Sequence, residues 1–362
     1  MKDAPKAPTM AQIAAEAGVS KMSVSLALRG SSRVSEATRK RILEIVDRLN
    51  YRPNPMVQTL MANLRATRPI EMHSVIAWIT AFETENGWTK SWLFREYYKG
   101  AEERAEQLGY RIEPFWIRSK GMTGARMSSV LKARSISGVI IPPVPSVQTR
   151  IDLDWEHFAS STIGYSFMDP ILPRAAANLN ESMAVVLDKC ESAGYQRVGF
   201  VVTEETDERV NHSWLSVFLA WQQFIPKKQV VPFLYVRKGQ KIEDLLGGWL
   251  QRHKPDVIVS ANREFRMWLP DLFNLRIPEN IGFVVLAITD KSRKQPQGIT
   301  GINQRDRQVA ASAVDLVVAQ LQRNEIGLPS YPKVVLSNGE WEWGGTMRGE
   351  SDSVKDEAVS SS

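Results

Sequence analysis

The sequence predicts two units of different fold class: a small all-α helix-turn-helix module at the N-terminus and a larger α/β core built on parallel sheets. The 362 residues exceed what one hydrophobic core usually serves. Apolar residues recur at helical spacing from residue 9 to residue 49, whereas continuous apolar strands alternate with amphipathic helices from residue 70 onward. Charge follows the same division.

Basic charge is concentrated in the N-terminal sixth of the chain. Residues 1–65 contain 11 Lys and Arg against 5 Asp and Glu, a surplus equal to the +6 of the whole chain. The attraction for a polyanion therefore lies in this segment, and nucleic acid is the polyanion we expect. No apolar run approaches the roughly 20 residues of a membrane span. The first nine residues are followed by no export signal, so we expect a cytoplasmic protein.

Three short helices are predicted in the N-terminal module. Thr9 opens the first in a capping box, and Gly18 supplies the left-handed turn that ends it. Ser20 caps a second helix over residues 21–28, and Ser35 opens a third. Their apolar faces share one core, formed by Ile13, Ala14, Ala17, Val24, Leu28, Ile42, Ile45, Val46 and Leu49. Two helices joined by a tight glycine turn fit the major groove of DNA; the alternative is a helical bundle with a solvated basic face.

The module carries three further sequence features: Ala-Gly-Val-Ser at 17–20, Val-Ser at 24–25 and Asn-Tyr-Arg-Pro-Asn at 50–54. With them, residues 9–65 resemble the DNA-reading headpiece of the lactose repressor family of bacterial regulators. A basic residue is common at position 26 in that family, and Leu26 cannot hydrogen-bond guanine. The resemblance implies DNA contacts by Thr9, Ser20, Lys21, Met22, Ser23, Ser25, Leu26, Arg29, Arg33, Tyr51, Asn54, Met56, Val57 and Leu60.

A further helix is predicted directly after the module. Asn54 caps it and Pro55 occupies its first position. About ten residues are too few for a stable isolated helix, so it requires a partner surface. The resemblance implies a hinge helix that pairs with its twin from a second subunit on the minor groove, with Leu60 as the wedge between base steps. The alternative is a linker helix packed on the core.

Seven apolar strands are predicted in the core, at 74–80, 111–117, 138–143, 197–202, 230–236, 256–261 and 281–288. Helices are predicted between them, the clearest at 97–108, 126–133, 181–192 and 242–251. Continuous apolar strands that alternate with helices indicate parallel sheets covered on both faces. Seven strands indicate two such Rossmann-like sheets.

The segments RAEQLGYRIE, KCESAGYQRVGFV and IPENIGFVVL resemble the type I periplasmic-binding-protein fold that this family carries behind its headpiece. The resemblance implies crossings between two subdomains near residues 193, 298 and 330, with a ligand cleft between the sheets. The expected units are a headpiece at 1–53, a hinge helix and linker at 54–69, a core at 70–349 and a disordered tail at 350–362. Within the core, the N-subdomain comprises 70–193 and 299–330, and the C-subdomain 194–298 and 331–349.

Five residues are candidates for ligand contact, four by their positions in the resemblance and Trp88 by its place in a loop. Asn180 stands where an Asp is usual, Asn262 follows a strand, Trp214 replaces a typical Arg, and Asp290 lies near the usual acidic position. Trp88 lies in the long loop after the first strand. An indole in place of a guanidinium favours an uncharged effector such as a sugar ring. The alternative for each Trp is a place in the core.

Catalysis is not expected. The chain lacks a Gly-rich phosphate loop, a His pair and a G-x-S-x-G elbow, and no partner group accompanies Asp290 or Glu205. Cys190 is the only cysteine, and the four histidines lack metal-ligand spacing, so no metal or cofactor is expected. The remaining alternatives are a sugar-binding receptor and a sequence-neutral DNA-binding protein.

The expected protein is a sugar-responsive allosteric transcriptional repressor that acts as a homodimer on a pseudo-palindromic operator. No heptad repeat closes the chain, which favours a dimer over a tetramer. A small-molecule effector in the cleft would change the distance between the two hinge helices and thereby the affinity for DNA.

The wedge role of Leu60 gives a testable prediction. Leu60→Ala should weaken binding to the specific site more than binding to random DNA, because only the specific complex requires the opened base step. Fluorescence anisotropy titrations on both DNAs measure the difference. Equal losses on the two DNAs would contradict the wedge role.

Overall fold

A computed structural model describes residues 10–20, 23–24, 27, 34–49, 74–288 and 298–349 of the chain. In the N-terminal module, α1 spans Met10–Ala17 and α2 spans Glu36–Arg48. Ser23, Val24 and Ala27 are helical between them. The predicted hinge helix, linker and tail lie outside the described residues.

The N-terminal module has its own small core. Gly18 has a φ of +64° and ends α1, and Ser35 caps α2 by accepting the backbone N–H of Thr38 at 3.3 Å. These turn and cap predictions are confirmed. The buried residues are Ile13, Ala14, Ala17, Val24, Ala27, Val34, Ile42, Ile45 and Val46. This set contains seven of the nine predicted core residues, while Leu49 packs at its edge and Leu28 lies outside the described residues.

The first sheet of the core is parallel throughout, with the order β11-β5-β4-β3-β1-β2. Numbered along the chain, its strands are β1 Ser74–Thr80, β2 Tyr110–Trp116, β3 Gly138–Ile141, β4 Ala159–Ile163, β5 Arg174–Ala177 and β11 Val334–Ser337. One face packs against α3 and α10, and the other against α4. These helices span Trp92–Gln107 (α3), Asp306–Arg323 (α10) and Gly124–Ala133 (α4).

The second sheet has the order β12-β10-β9-β8-β6-β7, and its edge strand β12 is antiparallel to β10. Its strands are β6 Val198–Thr203, β7 Leu234–Val236, β8 Val257–Ser260, β9 Gly282–Val285, β10 Gly301–Asn303 and β12 Glu340–Glu342. The helices on this side are α5 Leu179–Ser192, α6 Glu204–Arg209, α7 Ser213–Trp221, α8 Ile242–His253 and α9 Phe265–Phe273. Of these, α5 and α7 pack on one face, and α8 and α9 on the other.

The described chain passes between the two sheets at three places: at Asn178, at residues 304–305 and at residues 338–339. These positions correct the expected crossings near residues 193, 298 and 330. The first crossing precedes α5 because the apolar face of that helix packs on the second sheet, not on the first. The second follows β10 because that strand completes the second sheet before α10 covers the first.

The seven predicted strands are present, with shorter bounds in the 230–236 segment, where only Leu234–Val236 is a strand. Strands β4, β5, β10, β11 and β12 were not predicted; ASSTI (β4) and RAAA (β5) together contain only one large apolar residue, Ile163. Two of the three buried hydroxyls of β4 are hydrogen-bonded: Ser161 Oγ donates to the Ala313 carbonyl and Thr162 Oγ1 to the Ile141 carbonyl, both at 2.9 Å, whereas Ser160 Oγ has no partner among the described residues. The side chain of Gln320 on α10 bonds both the N–H and the carbonyl of Ser160.

The close packing of α3 on α10 gives a second prediction. A Cβ at Gly100 would lie 2.3 Å from the carbonyl oxygen of Arg307, so the helices would have to move apart. Gly100→Ala should lower the free energy of unfolding by roughly 1–3 kcal/mol in urea titrations.

A helical glycine in α8 provides the matched control. A Cβ at Gly248 meets no heavy atom within 4 Å. Gly248→Ala should therefore raise the free energy of unfolding by roughly 0.5–1 kcal/mol. If Gly100→Ala proved as stable as Gly248→Ala, the close approach of α3 and α10 would be refuted.

Candidate functional site

The second helix of the N-terminal module is capped as the sequence predicts. Ser20 Oγ accepts the backbone N–H of Ser23 at 3.0 Å, and the two hydroxyls lie 2.9 Å apart. Ser20 is exposed and Ser23 is half-buried. The cap fixes the N-terminal end of the helix that carries the predicted base-reading positions. The other predicted DNA contacts lie outside the described residues: Thr9, Lys21, Met22, Ser25, Leu26, Arg29, Arg33, Tyr51, Asn54, Met56, Val57 and Leu60.

Helix α2 presents basic side chains at the surface of the module. Lys40, Arg41 and Arg48 are exposed, and Arg39 is half-buried. Arg48 pairs with Glu16 and so joins α2 to α1. The same helix buries its apolar face in the core of the module, so the cationic face points away from that core.

A cavity of about 690 Å³ lies where the carboxyl ends of strands from both sheets meet. Its walls are the loop after β3 (residues 145–148), α6 with Thr203, residues 236–243, and Trp268 on α9. Open parallel sheets bind ligands at this position, and the volume suits a small metabolite. The charged side chains in its lining are balanced: Arg209, Arg237, Lys238 and Lys241 against Glu204, Glu205, Glu208 and Glu243.

Arg209 spans the cleft at this cavity. From the last turn of α6 its Nη1 donates to the carbonyls of Val144 at 2.7 Å and Pro145 at 3.2 Å, both on the other sheet's side. Burial lowers the pKa of Arg209, and the nearby Glu205 and Tyr97 act in the opposite direction. Burial raises the pKa of Tyr97 well above its usual value, and a hydrogen bond to Asp306 raises it further.

A second cavity, of about 390 Å³, lies beside the first crossing. It contains the predicted ligand residue Asn180. Its side chains are uncharged. Six of them can form hydrogen bonds, namely Tyr165, Asn178, Asn180, Asn211, Ser213 and Ser216, and the other three are the apolar Ala177, Leu179 and Leu336. This lining suits a neutral polar molecule.

The other predicted ligand residues occupy different surroundings. Trp214 is 4% exposed in the core formed by α5, α7 and the second sheet, which is the position of a core tryptophan. Trp88 is 8% exposed, with its ring 5.0 Å from that of Tyr98. Asn262 follows β8, and its Oδ1 accepts the N–H of Glu264 at 2.9 Å. Asp290 lies outside the described residues.

None of the four described ligand candidates lines the larger cavity, and sequence reasoning did not select Arg209 or Trp268, which do. Both lie shortly after strand ends, so exact strand bounds would have placed them near the cleft. No side-chain pattern indicates the bonds of Arg209, because its acceptors are backbone carbonyls. Within the described ranges, no three His, Cys, Asp or Glu side chains gather as a metal site, and no helix is long and apolar enough to cross a bilayer.

A polar network holds the three crossings together. The Nδ2 of Asn178 donates to Asn338 Oδ1 at 2.9 Å. The buried Gln304 donates through Nε2 to the Leu286 carbonyl at 2.6 Å, and its Oε1 accepts the Ser182 hydroxyl at 3.2 Å. The first and third crossings therefore touch directly, and Ser182, whose hydroxyl also lies 3.0 Å from the Asn178 carbonyl, links Gln304 of the second crossing to the first.

The N-terminal module matches the family described as bacterial regulatory proteins, lacI family, over residues 9–54. Catabolite control protein A of Streptococcus mutans is 44% identical over 59 residues, which are 16% of this chain and 18% of that protein. The ribose operon repressor of Lactococcus lactis is 28% identical over 132 residues, 36% of each chain. The chain thus spans from under a fifth to about a third of the length of these relatives.

Solved structures resemble the whole architecture. A transcriptional regulator CelR in complex with cellobiose gives a TM-score of 0.57 at 16% identity, covering 94% of this chain and 99% of its own. The lac repressor dimer bound to operator and the anti-inducer ONPF gives 0.54 at 18% identity, covering 95% and 100%. At these identities the likeness establishes the fold, and the predicted fold class is confirmed.

Residues 9–54 match the lacI family, and the core that follows has the fold of the solved CelR and lac repressor structures. The resemblance to the lactose repressor family that the sequence indicates is thereby confirmed.

The crossing network gives a third prediction. Gln304→Met keeps the side-chain length but leaves the buried Leu286 carbonyl and Ser182 hydroxyl without this partner, which should cost roughly 1–3 kcal/mol of unfolding free energy.

The adjacent Arg305 is the control, because its ion pair with Glu340 is exposed and Arg305→Met should cost only about 0–1 kcal/mol. Urea titrations compare the two variants. Equal losses would show that the buried amide has no special part in the crossing.

Proposed function

We propose that this protein is a sequence-specific DNA-binding transcriptional regulator, a repressor whose affinity for its operator is set by a small molecule in the cleft of the core. The observation that carries the proposal is the lacI-family module at residues 9–54, joined to a core with a ligand-sized cavity between two parallel sheets. The basic surplus of the first 65 residues agrees with a polyanionic partner.

We infer a homodimer in which two headpieces contact half-sites of a near-palindrome in adjacent major grooves. The segment at 54–69 pairs with its twin in the minor groove between them, with Leu60 inserted at the central step. Binding, not catalysis, is the activity we infer, and the cytoplasm is the compartment in which such a protein meets its operator.

A sugar or related metabolite is the effector class we infer. The cavity combines an aromatic side chain, Trp268, with hydroxyl and amide groups from Thr203, Gln148 and Gln240. This combination suits a ring that has an apolar face and a hydroxylated edge. Among the structural neighbours, one regulator is bound to cellobiose and another, from Enterococcus faecium, to ribose.

Selection of bound fragments from a random DNA pool tests the DNA-binding part. We expect a near-palindromic consensus and tighter binding to it than to a scrambled duplex at cellular ionic strength. A screen of mono- and disaccharides, cellobiose and ribose included, then asks which compound changes retention of the selected DNA. Equal binding to all duplexes would overturn the proposal and leave a sequence-neutral DNA-binding protein.

The basic face of α2 gives a fourth prediction. Arg39→Ala should lower affinity for specific and random DNA alike, and reduce the slope of log K against log[salt] by about 0.9 if one phosphate contact is lost. Arg118→Ala makes the same charge change on the exposed surface of the core and should leave the slope unchanged. A loss confined to the specific site would contradict a phosphate contact by Arg39.

A further inference from the structure

Arg209 is unusual among the charged residues of the cleft because it belongs to one subdomain and bonds the other. It lies on α6, directly after β6 of the second sheet. Its acceptors, the carbonyls of Val144 and Pro145, lie in the loop after β3 of the first sheet. A guanidinium that donates to two consecutive carbonyls restrains both the distance and the orientation of the two walls.

Both ends of this contact are held in place. On the α6 side, Thr203 caps the helix, and His212 Nδ1 lies 2.7 Å from the buried Oδ2 of Asp207, just beyond the helix end. On the other side, the Val144 N–H donates to the buried Ser166 hydroxyl at 3.0 Å, and the Val144 side chain lies in the core of the first subdomain. The guanidinium therefore joins two preorganised segments.

We propose that Arg209 is a latch that holds the two walls of the cleft at the separation seen in this structure. It thereby sets the fraction of molecules that have this separation before any ligand binds. The latch is a property of the free protein. Its regulatory consequence rests on the proposed function: an effector in the adjacent cavity acts on an equilibrium that Arg209 has already biased.

The chain is well suited to a distance measurement across the cleft. Gln148 and Lys241 are exposed and line opposite walls of the cavity, so Gln148→Cys and Lys241→Cys accept spin labels. The native Cys190 is fully buried, and burial raises the pKa of its thiol, so it stays unlabelled. Pulsed electron spin resonance on the full-length protein, without DNA or added small molecule, then reports the separation of the two walls.

Arg209→Met keeps most of the side-chain volume and removes every donor. We expect the label distances to shift to a longer, broader distribution, with the ratio of latched to unlatched molecules falling roughly tenfold to hundredfold. Arg237→Met is the matched control, since Arg237 is exposed, lines the same cavity and also lies on the second subdomain. It should leave the distribution unchanged.

An unchanged distribution in Arg209→Met, or an equal shift in Arg237→Met, overturns the latch. Circular dichroism melting confirms that each variant is folded. If Arg209→Met does not fold, Arg209→Gln is judged by the same comparison, because its amide nitrogen is two atoms closer to the backbone than Nη1 and carries no charge, so it does not reach the two carbonyls. The outcome is independent of the DNA selection: a protein without DNA preference overturns the proposed function alone.

Discussion

The core depends on the three crossings, because each sheet receives its last strand only after the chain has passed through the other subdomain. Helix α10, which covers one face of the first sheet, follows strand β10 of the second. Strand β11 then returns to the first sheet, and β12 closes the edge of the second. Both subdomains therefore assemble around one junction, whose buried polar groups need partners at the same place. Gln304 supplies two of them.

The predictable part of the fold is the part that local patterns determine. The module at residues 10–49 and the apolar strands β1, β6, β8 and β9 follow from spacing and composition. Strand β4 could not be predicted in this way, because it buries polar side chains. The hydroxyl of Ser161 is hydrogen-bonded to the carbonyl of Ala313, which lies far along the chain. The positions of the crossings were predicted wrongly for a related reason. The order of helices and strands along the chain does not show on which of the two sheets a helix packs, and that choice decides whether the chain crosses before or after the helix.

The candidate site shows the same limit. Its position at the carboxyl ends of the strands follows from the fold class. The choice of tryptophans did not follow, because residue type alone does not separate a ring in the core, such as Trp214, from one that lines a cavity, such as Trp268. Asn180 does line a cavity, but its neighbours there come from α5, α7 and β11, which only the folded chain brings together.

The energy scale of Arg209 fits a reversible contact. Partial burial of a guanidinium costs solvation, but its hydrogen bonds to two carbonyls more than offset that cost, and hydrogen bonds that involve a charged group contribute a net stabilisation of about 1.5–3 kcal/mol. A ligand present at 100 times its dissociation constant stabilises the state it binds by about 2.7 kcal/mol. These two free energies are comparable. A ligand in the adjacent cavity can therefore overcome the preference for the latched state that Arg209 imposes, or strengthen it. A broad apolar interface between the subdomains would exceed this scale and fix a single arrangement. A single charged donor facing two backbone acceptors is weak enough to be overcome and directional enough to define the latched state.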